Sequence, residues 1–546
     1  MAKKPKPQVE QTVIAAPVQQ HALSGGGGIE GAERTSRELM RWAPAIISPD
    51  QQINRVKDMA DARGRDMMQN DGYALGANYT YRDSIVGGEY RLNAQPDFEL
   101  LGADEGWSDE FQATVESRFG LTANSINNWL DASGKQNFTG QVRLAVGCFF
   151  MTGEMLATAE WNEIDRRRPC RTNTLLVAPT RLSNPNNEAD TYYRRRGVQI
   201  NRNGKPEGYH IRSRFPTMGY FDGPDALTWK YVPATKPWGR PMVLHVFEAM
   251  QVEQSRGIAD MVSVLKNMKM TQKFQDVTLQ NAVVNATYAA AIESELPREL
   301  VFGSMGAGQG PAGLKDFITQ YMSGLQEFLE GATNITLDGV KMPHLYPGTK
   351  LTMRPAGTPG GVGTDFEESL LRHTAAALGL SYEQFSRDYT KTNYSSARAS
   401  MAETWKYMSS RKKMIADRYA SWVYRLWLEE EINNGRVPLP RGVTIKDLYD
   451  DPLKFEAIAA CEWIGASRQQ IDELKETQAA VMRIKSGLST YEQENARLGQ
   501  DWRRVFRQRQ REEKLIKEYG LEFDTAATRP GVNDAQNTMR NQGEDE

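Results

Sequence analysis

The sequence predicts an α+β protein, largely helical, on three observations. A mixed first part carries short β-prone pieces between turn signals. Two long stretches without internal Gly or Pro follow, with apolar residues at helical spacing. An arginine-rich helical region then closes the folded body. At 546 residues the chain exceeds one ordinary domain. Apolar residues make up 40% and charged residues 25%, as in a folded globular protein. Lys+Arg number 67 against 69 Asp+Glu, which excludes a generally basic nucleic-acid coat. Any contact with DNA must come from local placement of positive charge.

Residues 1–30, rich in Lys, Pro and Gln and ending in Gly25-Gly26-Gly27-Gly28, hold too little apolar surface to offset ordering entropy and are expected to be disordered. The polar tail over 526–546 reads the same way. Within 31–255, Ser48-Pro49-Asp50 starts a helix running from Gln51 to about Gly72. Asn78 to Tyr81, Glu89 to Leu92 and Thr174 to Val177 read as strands, and Asn203-Gly204 as the turn of a hairpin. From Gly257 to Leu296 the pattern is helical; unbroken, it would span about 60 Å. Lys266, Lys269 and Lys273, three and four apart, share one face of it.

Residues 297–364 are broken by turn formers around one expected helix, Asp316 to Glu330. A helix from Thr364 to Gly379 follows, with Thr364 as N-cap. A polar loop, Ser386 to Tyr394, leads to the second long helix, Ser395 to Asn433, which stops at Gly435. Residues 466–520 read as helical and basic.

Enzymatic chemistry is sparsely supported. Gly134-Lys135-Gln136 and Gly204-Lys205-Pro206 lack the hydroxyl residue of a phosphate-binding loop and read as surface turns. The five histidines (21, 210, 245, 344, 373) show no zinc-hydrolase spacing, and no metal or cofactor is expected. His245 reads as a core histidine. His373, near Glu367 and Glu368, has no nucleophile beside it. Asp447, Asp450 and Asp451 precede Pro452 and read as a turn or cap rather than a two-metal centre. Three cysteines without a CxxC pair support neither a disulfide framework nor a zinc knuckle. There is no apolar run of about 18 residues to span a membrane and no signal peptide, so synthesis in a reducing cytoplasm is expected. What remains is charge on long elements: the three lysines, Arg387 and Lys391 in the polar loop, and Arg411-Lys412-Lys413.

Several blocks, in order, carry a resemblance. They are Arg63-Gly64-Arg65-Asp66 through Asn70-Asp71-Gly72-Tyr73-Ala74; Arg82-Asp83 to Gly87; Asn137-Phe138 with Gly153-Glu154; and Arg240-Pro241 to Phe247 with Gln254-Ser255-Arg256-Gly257-Ile258. Further on come Pro347-Gly348, Gly379-Leu380-Ser381-Tyr382-Glu383 to Asp388, Asn393-Tyr394-Ser395-Ser396-Ala397-Arg398, and Gly487 to Thr490 with Gly499 to Trp502. Collinear over about 31–520, they resemble the portal proteins of lambda-like tailed phages. Glu473, where a proline is expected in that pattern, and 298–340 depart from it.

The resemblance implies a portal fold assembled as a cyclic ring of about twelve subunits. It implies a wing (31–255), a first stem helix (256–286), a clip (287–363) and a second stem helix (364–385). A channel loop (386–394), a long helix with the remaining wing (395–465) and a helical crown (466–525) complete it. The implied function is a non-enzymatic channel at one capsid vertex for packaging and ejecting double-stranded DNA. Its implied partners are the terminase large subunit, head completion or connector proteins, and the major capsid and scaffolding proteins. Arg387, Lys391, Asn393 and Tyr394 would face DNA from the loop, and Lys266, Lys269 and Lys273 from the stem. Sliding DNA calls for phosphate-directed, sequence-independent attraction rather than base readout. The rival readings are a nuclease or recombinase with helical arms, and a minor head protein without a channel.

Overall fold

A computed structural model describes residues 37, 39–165, 167–215, 227–288, 319, 322–323, 335–337, 340–342, 362–467 and 473–521. The tails expected to be disordered, the helix expected over 316–330 apart from 319 and 322–323, and most of the clip expected at 287–363 lie outside the described residues.

The chain opens on α1 (Pro49–Asn70), capped by Ser48, whose Oγ accepts from the Gln51 amide at 3.3 Å. Helix α2 (Gly72–Ile85) follows at once, because Asp71 ends α1 and caps α2 through the Ala74 amide at 2.8 Å. Helix α2 overturns the strand expected at Asn78 to Tyr81. The β-branched and aromatic run is locally strand-like, but Ala74, Ala77, Asn78, Tyr81 and Ile85 bury one helical face. Strand β1 (Arg91–Ala94), α3 (Phe98–Leu101), α4 (Glu105–Ala123) and α5 (Phe138–Thr152) come next.

Strands β2 (Glu154–Trp161), β3 (Thr172–Val177), β4 (Arg194–Arg195), β5 (Val198–Ile200), β6 (Pro206–Arg212), β7 (Trp229–Pro233) and β8 (Val243–Phe247) form two small antiparallel sheets, ordered β3-β2-β8 and β4-β5-β6-β7. The hairpin expected around Asn203-Gly204 is β5–β6, with Val198 opposite Tyr209.

Helix α6 (Leu265–Tyr288) begins eight residues later than Gly257, after a short 3-10 turn at Asp260–Ser263. Hairpin β9 (Ile335–Leu337)–β10 (Val340–Met342) follows. The second helix, α7 (Val362–Ala377), does not reach 385: it breaks at Gly379, and α8 (Tyr382–Ser386) is a separate turn capped by Ser381. Gly379 has φ +65°, and a Cβ there would sit 2.5 Å from the Tyr407 ring.

Helices α9 (Tyr394–Arg411) and α10 (Arg418–Asn433) are joined by a π-helical segment, Lys412–Asp417, so the expected long helix runs on with a widened turn. Short α11 (Ile445–Asp450) and α12 (Pro452–Ile458) lead to β11 (Cys461–Ile464), which pairs antiparallel with β1. Helices α13 (Glu473–Lys485), α14 (Tyr491–Arg497) and α15 (Trp502–Glu518) form the helical end that the sequence predicts.

The main core lies between α2, α4, α5, α10 and β11. Phe119 meets Phe138, Tyr424, Trp427 and Trp463 edge-on at centroid distances of 5.2–5.9 Å. Beside it lies a buried charge cluster. Glu154, at the start of β2, accepts from Arg256 (Nη2–Oε1 2.6 Å, Nε–Oε2 3.0 Å) and from the Gly257 amide at 3.1 Å. Lys57 Nζ lies 3.3 Å from Glu154 Oε1 and donates to Asp61 at 2.7 Å. Arg256 spends its remaining donors on the carbonyls of Leu182, Arg196 and Pro179 at 2.8–3.0 Å, so all five are used. Gly153 and Gly257 let this crossing close: a Cβ on Gly153 would lie 2.0 Å from the Ile258 carbonyl carbon.

Burial pushes the Glu154 carboxyl up, but Arg256 and Lys57 outweigh it and hold it well below the usual carboxylate range. His245 Nε2 donates to Glu154 Oε2 over 2.9 Å, and burial lowers its pKa despite that bond, so it is the core histidine that the sequence predicts. Arg256→Gln removes the two-pronged partner of the buried Glu154, leaving only the longer contact with Lys57, and is expected to cost about 3 kcal/mol, read from urea unfolding. Burial also raises Asp61 to about 6 against its pairing with Lys57. A raised carboxyl pKa gives stability that is present below the unfolded value near 3.8 and is lost as pH rises through 6. Asp61→Asn is therefore expected to flatten this part of the stability profile between pH 4 and 7, measured by unfolding across that range.

Candidate nucleic-acid interface

Helices α6 and α7 run antiparallel. Gln275 Nε2 donates to Glu367 at 2.6 Å and Asn267 meets His373 Nδ1 at 3.0 Å, so ascending α6 means descending α7. Phe274 and Phe366 add an edge-on pair at 6.1 Å. Met268 and Thr271 are buried. At 100° per residue, Lys266, Lys269 and Lys273 fall on the side of α6 turned away from α7. All three are exposed. Val277, Leu279 and Val283 of the same helix are exposed as well, each by more than half.

The loop after α8 is compact. Phe385 anchors it, buried and stacked on Tyr73 at 5.5 Å. Arg387 ends α8 in the left-handed region at φ +61°, and its Nη2 donates to Thr80 Oγ1 at 2.9 Å. Asp388 accepts from the Thr390 hydroxyl at 2.6 Å and from its amide at 3.0 Å, bonds that hold its carboxyl below the usual range. Lys391 Nζ donates to Glu368 of α7 at 2.5 Å, which raises the Lys391 pKa. Asn393 caps α9 in a reciprocal box with Ser396: Oδ1 accepts the Ser396 amide at 2.9 Å, and Ser396 Oγ accepts the Asn393 amide at 3.2 Å. Tyr394 is the first residue of α9 and is half exposed.

The structure thus brings the four predicted loop residues together beside α7, but three carry structural bonds. Of the two loop cations, Lys391 is paired with Glu368 and Arg387 is held by the Thr80 hydroxyl, whereas the three α6 lysines have no ion pair or hydrogen bond among the described residues. Glu368, which also accepts from Arg372 at 3.0 Å, is noted in the sequence only beside His373 and not as the partner of Lys391. Its place four residues before Arg372 was the available signal.

Other candidates resolve into structure. Of the Arg411-Lys412-Lys413 cluster, Arg411 is buried against Asp260 (2.7 Å) and Glu248 (2.6 Å), and Lys412 bonds Asp417 at 2.7 Å and the Trp463 carbonyl at 2.9 Å. Neither is a free phosphate contact. Only Lys413 stays exposed, 3.6 Å from Asp417. Asp447 completes a capping box with Thr444, and Asp451 caps α12, as the sequence predicts for that acidic run. Gly134 and Gly204 sit in turns with positive φ. Among the described residues no cluster of three His, Cys, Asp or Glu is arranged to hold a metal. No helix among them is long and apolar enough to cross a membrane. The free thiols of Cys148, Cys170 and Cys461 are pushed up by burial to about 11, 12 and 11.

Residues 35–412 match the family model described as phage portal protein, lambda family. The chain belongs to the lambda family of phage portal proteins. It is 38% identical over 498 residues to the portal protein of Escherichia phage N15, covering 91% of this chain and 90% of that one. It is 37% identical over 488 residues to portal protein B of Escherichia phage lambda, covering 89% and 88%. Among solved structures, a chain from the neck of an empty gene transfer agent particle covers 80% of this chain and 93% of its own, at 11% identity and a TM-score of 0.40. The portal reading therefore stands over the nuclease, recombinase and channel-free readings. For this portal chain, Asn393→Ala removes the cap that sets the loop's exit into α9. It is expected to cost about 1 kcal/mol in thermal or urea unfolding.

Proposed function

We propose that copies of this chain close into a ring of about twelve subunits. The bore of that ring passes double-stranded DNA at the portal vertex, inward during packaging and outward at ejection. The observation that carries this reading is the α6 face: Lys266, Lys269 and Lys273 are exposed, turned away from α7, and unpaired among the described residues. Closed symmetry repeats each lysine around an axis, so a chain of formal charge −2 can line a positively charged passage. Val277, Leu279 and Val283, exposed on the same helix, offer apolar surface for a neighbouring α6–α7 pair.

In this reading α6 and α7 are the two stem helices and 386–394 is the channel loop. The sheets of β1–β8 and β11 with α1–α5, α9 and α10 form the wing, the chain between α6 and α7 the clip expected at 287–363, and α13–α15 the crown. The lysines act on phosphates and not on bases, so attraction is loose and sequence-independent. In the loop, Lys391 and Arg387 are held by Glu368 and Thr80, which keeps each contact with the duplex weak. The clip is the docking surface for the terminase large subunit and later for connector proteins. The wing faces capsid and scaffolding proteins. Assembly takes place in the host cytoplasm. The chain works as a channel and not as an enzyme, and ATP hydrolysis belongs to a separate motor protein.

Negative-stain images of the purified protein are expected to show rings with a central hole wide enough for a duplex. A monodisperse monomer that nicks plasmid DNA would overturn the proposal. Lys266→Ala/Lys269→Ala/Lys273→Ala, and separately Arg387→Ala/Lys391→Ala, are expected to leave rings intact. Both should lower packaged or retained genome severalfold, measured as protected DNA per particle. Wild-type yield from either variant would remove that set of residues from the mechanism.

A further inference from the structure

A cleft of about 1020 Å³ lies between α4, β1 and α15, far in sequence from the α6 lysines. Arg91 and Arg118 line one wall, and Arg503, Arg504 and Arg507 the other. Helix α15 is held against the body by Arg503, which pairs with Asp109 at 2.7 Å. The neighbouring α14 is held by Glu492, which accepts from Asn93 at 2.8 Å and Gln95 at 3.1 Å. Trp502 and Phe506 pair edge-on, and Phe506, itself 43% exposed, meets Tyr491 of α14 at 5.6 Å.

This packing fixes which side of α15 faces out. At 100° per residue, Arg503, Arg504, Arg507, Arg511 and Lys514 fall within about 100° of one another, over about 16 Å of helix. Arg504, Arg507, Arg511 and Lys514 are exposed, with no hydrogen bond or ion pair among the described residues. Arg91, Arg118 and Arg503 are already committed to Glu89, Glu431 and Asp109. At the cleft, burial pushes the Glu116 carboxyl up to about 7, whereas Glu89, bonded to Arg91 and facing Arg504, is held below the usual carboxylate range.

We propose that this cleft and the cationic face of α15 form a second, sequence-independent site for the phosphate backbone of double-stranded DNA, separate from the channel. Guanidinium forks match phosphate oxygens two at a time. A face of this length exceeds what one isolated phosphate could engage and fits an extended polyanion. It carries no apolar side chain between its cations, whereas a protein partner needs such an anchor. The inference rests on the channel reading only for the source of the DNA.

The test uses the full-length protein and a fluorescein-labelled random-sequence duplex, with anisotropy read from 50 to 300 mM salt. Arg504→Gln/Arg507→Gln/Arg511→Gln is expected to keep the wild-type size-exclusion profile. It should weaken binding about tenfold or more and flatten the log–log salt slope by about 2.7, three phosphates' worth. Adding Lys266→Ala/Lys269→Ala/Lys273→Ala is expected to lower the slope further and independently. Should the glutamine triple variant fail to fold, Arg507→Gln alone serves, with an expected slope change of about 0.9. An unchanged affinity and slope would sink the proposal. So would equal binding of a poly-glutamate peptide that competes with the duplex, which marks an acidic-protein site. A particle without a bore defeats the channel reading and leaves this result standing.

Discussion

One buried carboxylate organises the chain. Glu154 begins β2 directly behind the Gly153 turn, and it is met by Arg256 from the strand side, Lys57 from α1 and His245 from β8. Removing that charge from water costs several kcal/mol, which only well-aimed cations and donors can offset. Arg256 does so while binding three carbonyls of the loops that hold the sheets. Because Gly257 also donates to Glu154, the backbone leading into α6 is fixed at its origin. The direction in which the long helix leaves the body thus depends on an ion pair inside it.

The second constraint lies in the α9–α10 helix. At Lys412–Asp417 its ladder widens into a π segment, where Lys412 reaches back to Asp417 and to the Trp463 carbonyl. Tyr90 donates to the same Asp417. Just before it, Arg411 and Tyr407 reach Asp260 at the foot of α6. Helix α9 is therefore tied to both the β1–β11 side and the start of α6, while its capped N-terminus carries the loop beside α7. Loop, helix pair and body form one connected frame.

Much of this was legible in the sequence because it is local. Ser48 announced its helix, Asn203-Gly204 its hairpin, and the absence of Gly and Pro the long elements. The misses share a cause. Asn78 to Tyr81 looks like a strand until α5 and α9 pack on it as a helix. Nothing local in Arg256 to Ser263 shows that a buried Glu154 claims the backbone before α6 can start. Gly379 ends α7 as the residues predict; what fails is the stem helix implied out to 385, because Gly379 takes φ +65° where the Tyr407 ring, 28 residues on, approaches it. Lys391 and Arg411 looked free for a ligand because Glu368, Asp260 and Glu248 lie elsewhere in the chain. Spacing identifies which cations share a face, but not which have been claimed by distant acids.

The pairing of β1 with β11 has a bearing on biogenesis. Leu92 sits opposite Trp463, and that indole closes the aromatic cluster around Phe119. A nascent chain therefore cannot seal this core until most of it has left the ribosome, and closing so long a loop slows folding. Truncated products would expose the unsealed aromatics, so quality control can discard them before they poison a growing oligomer.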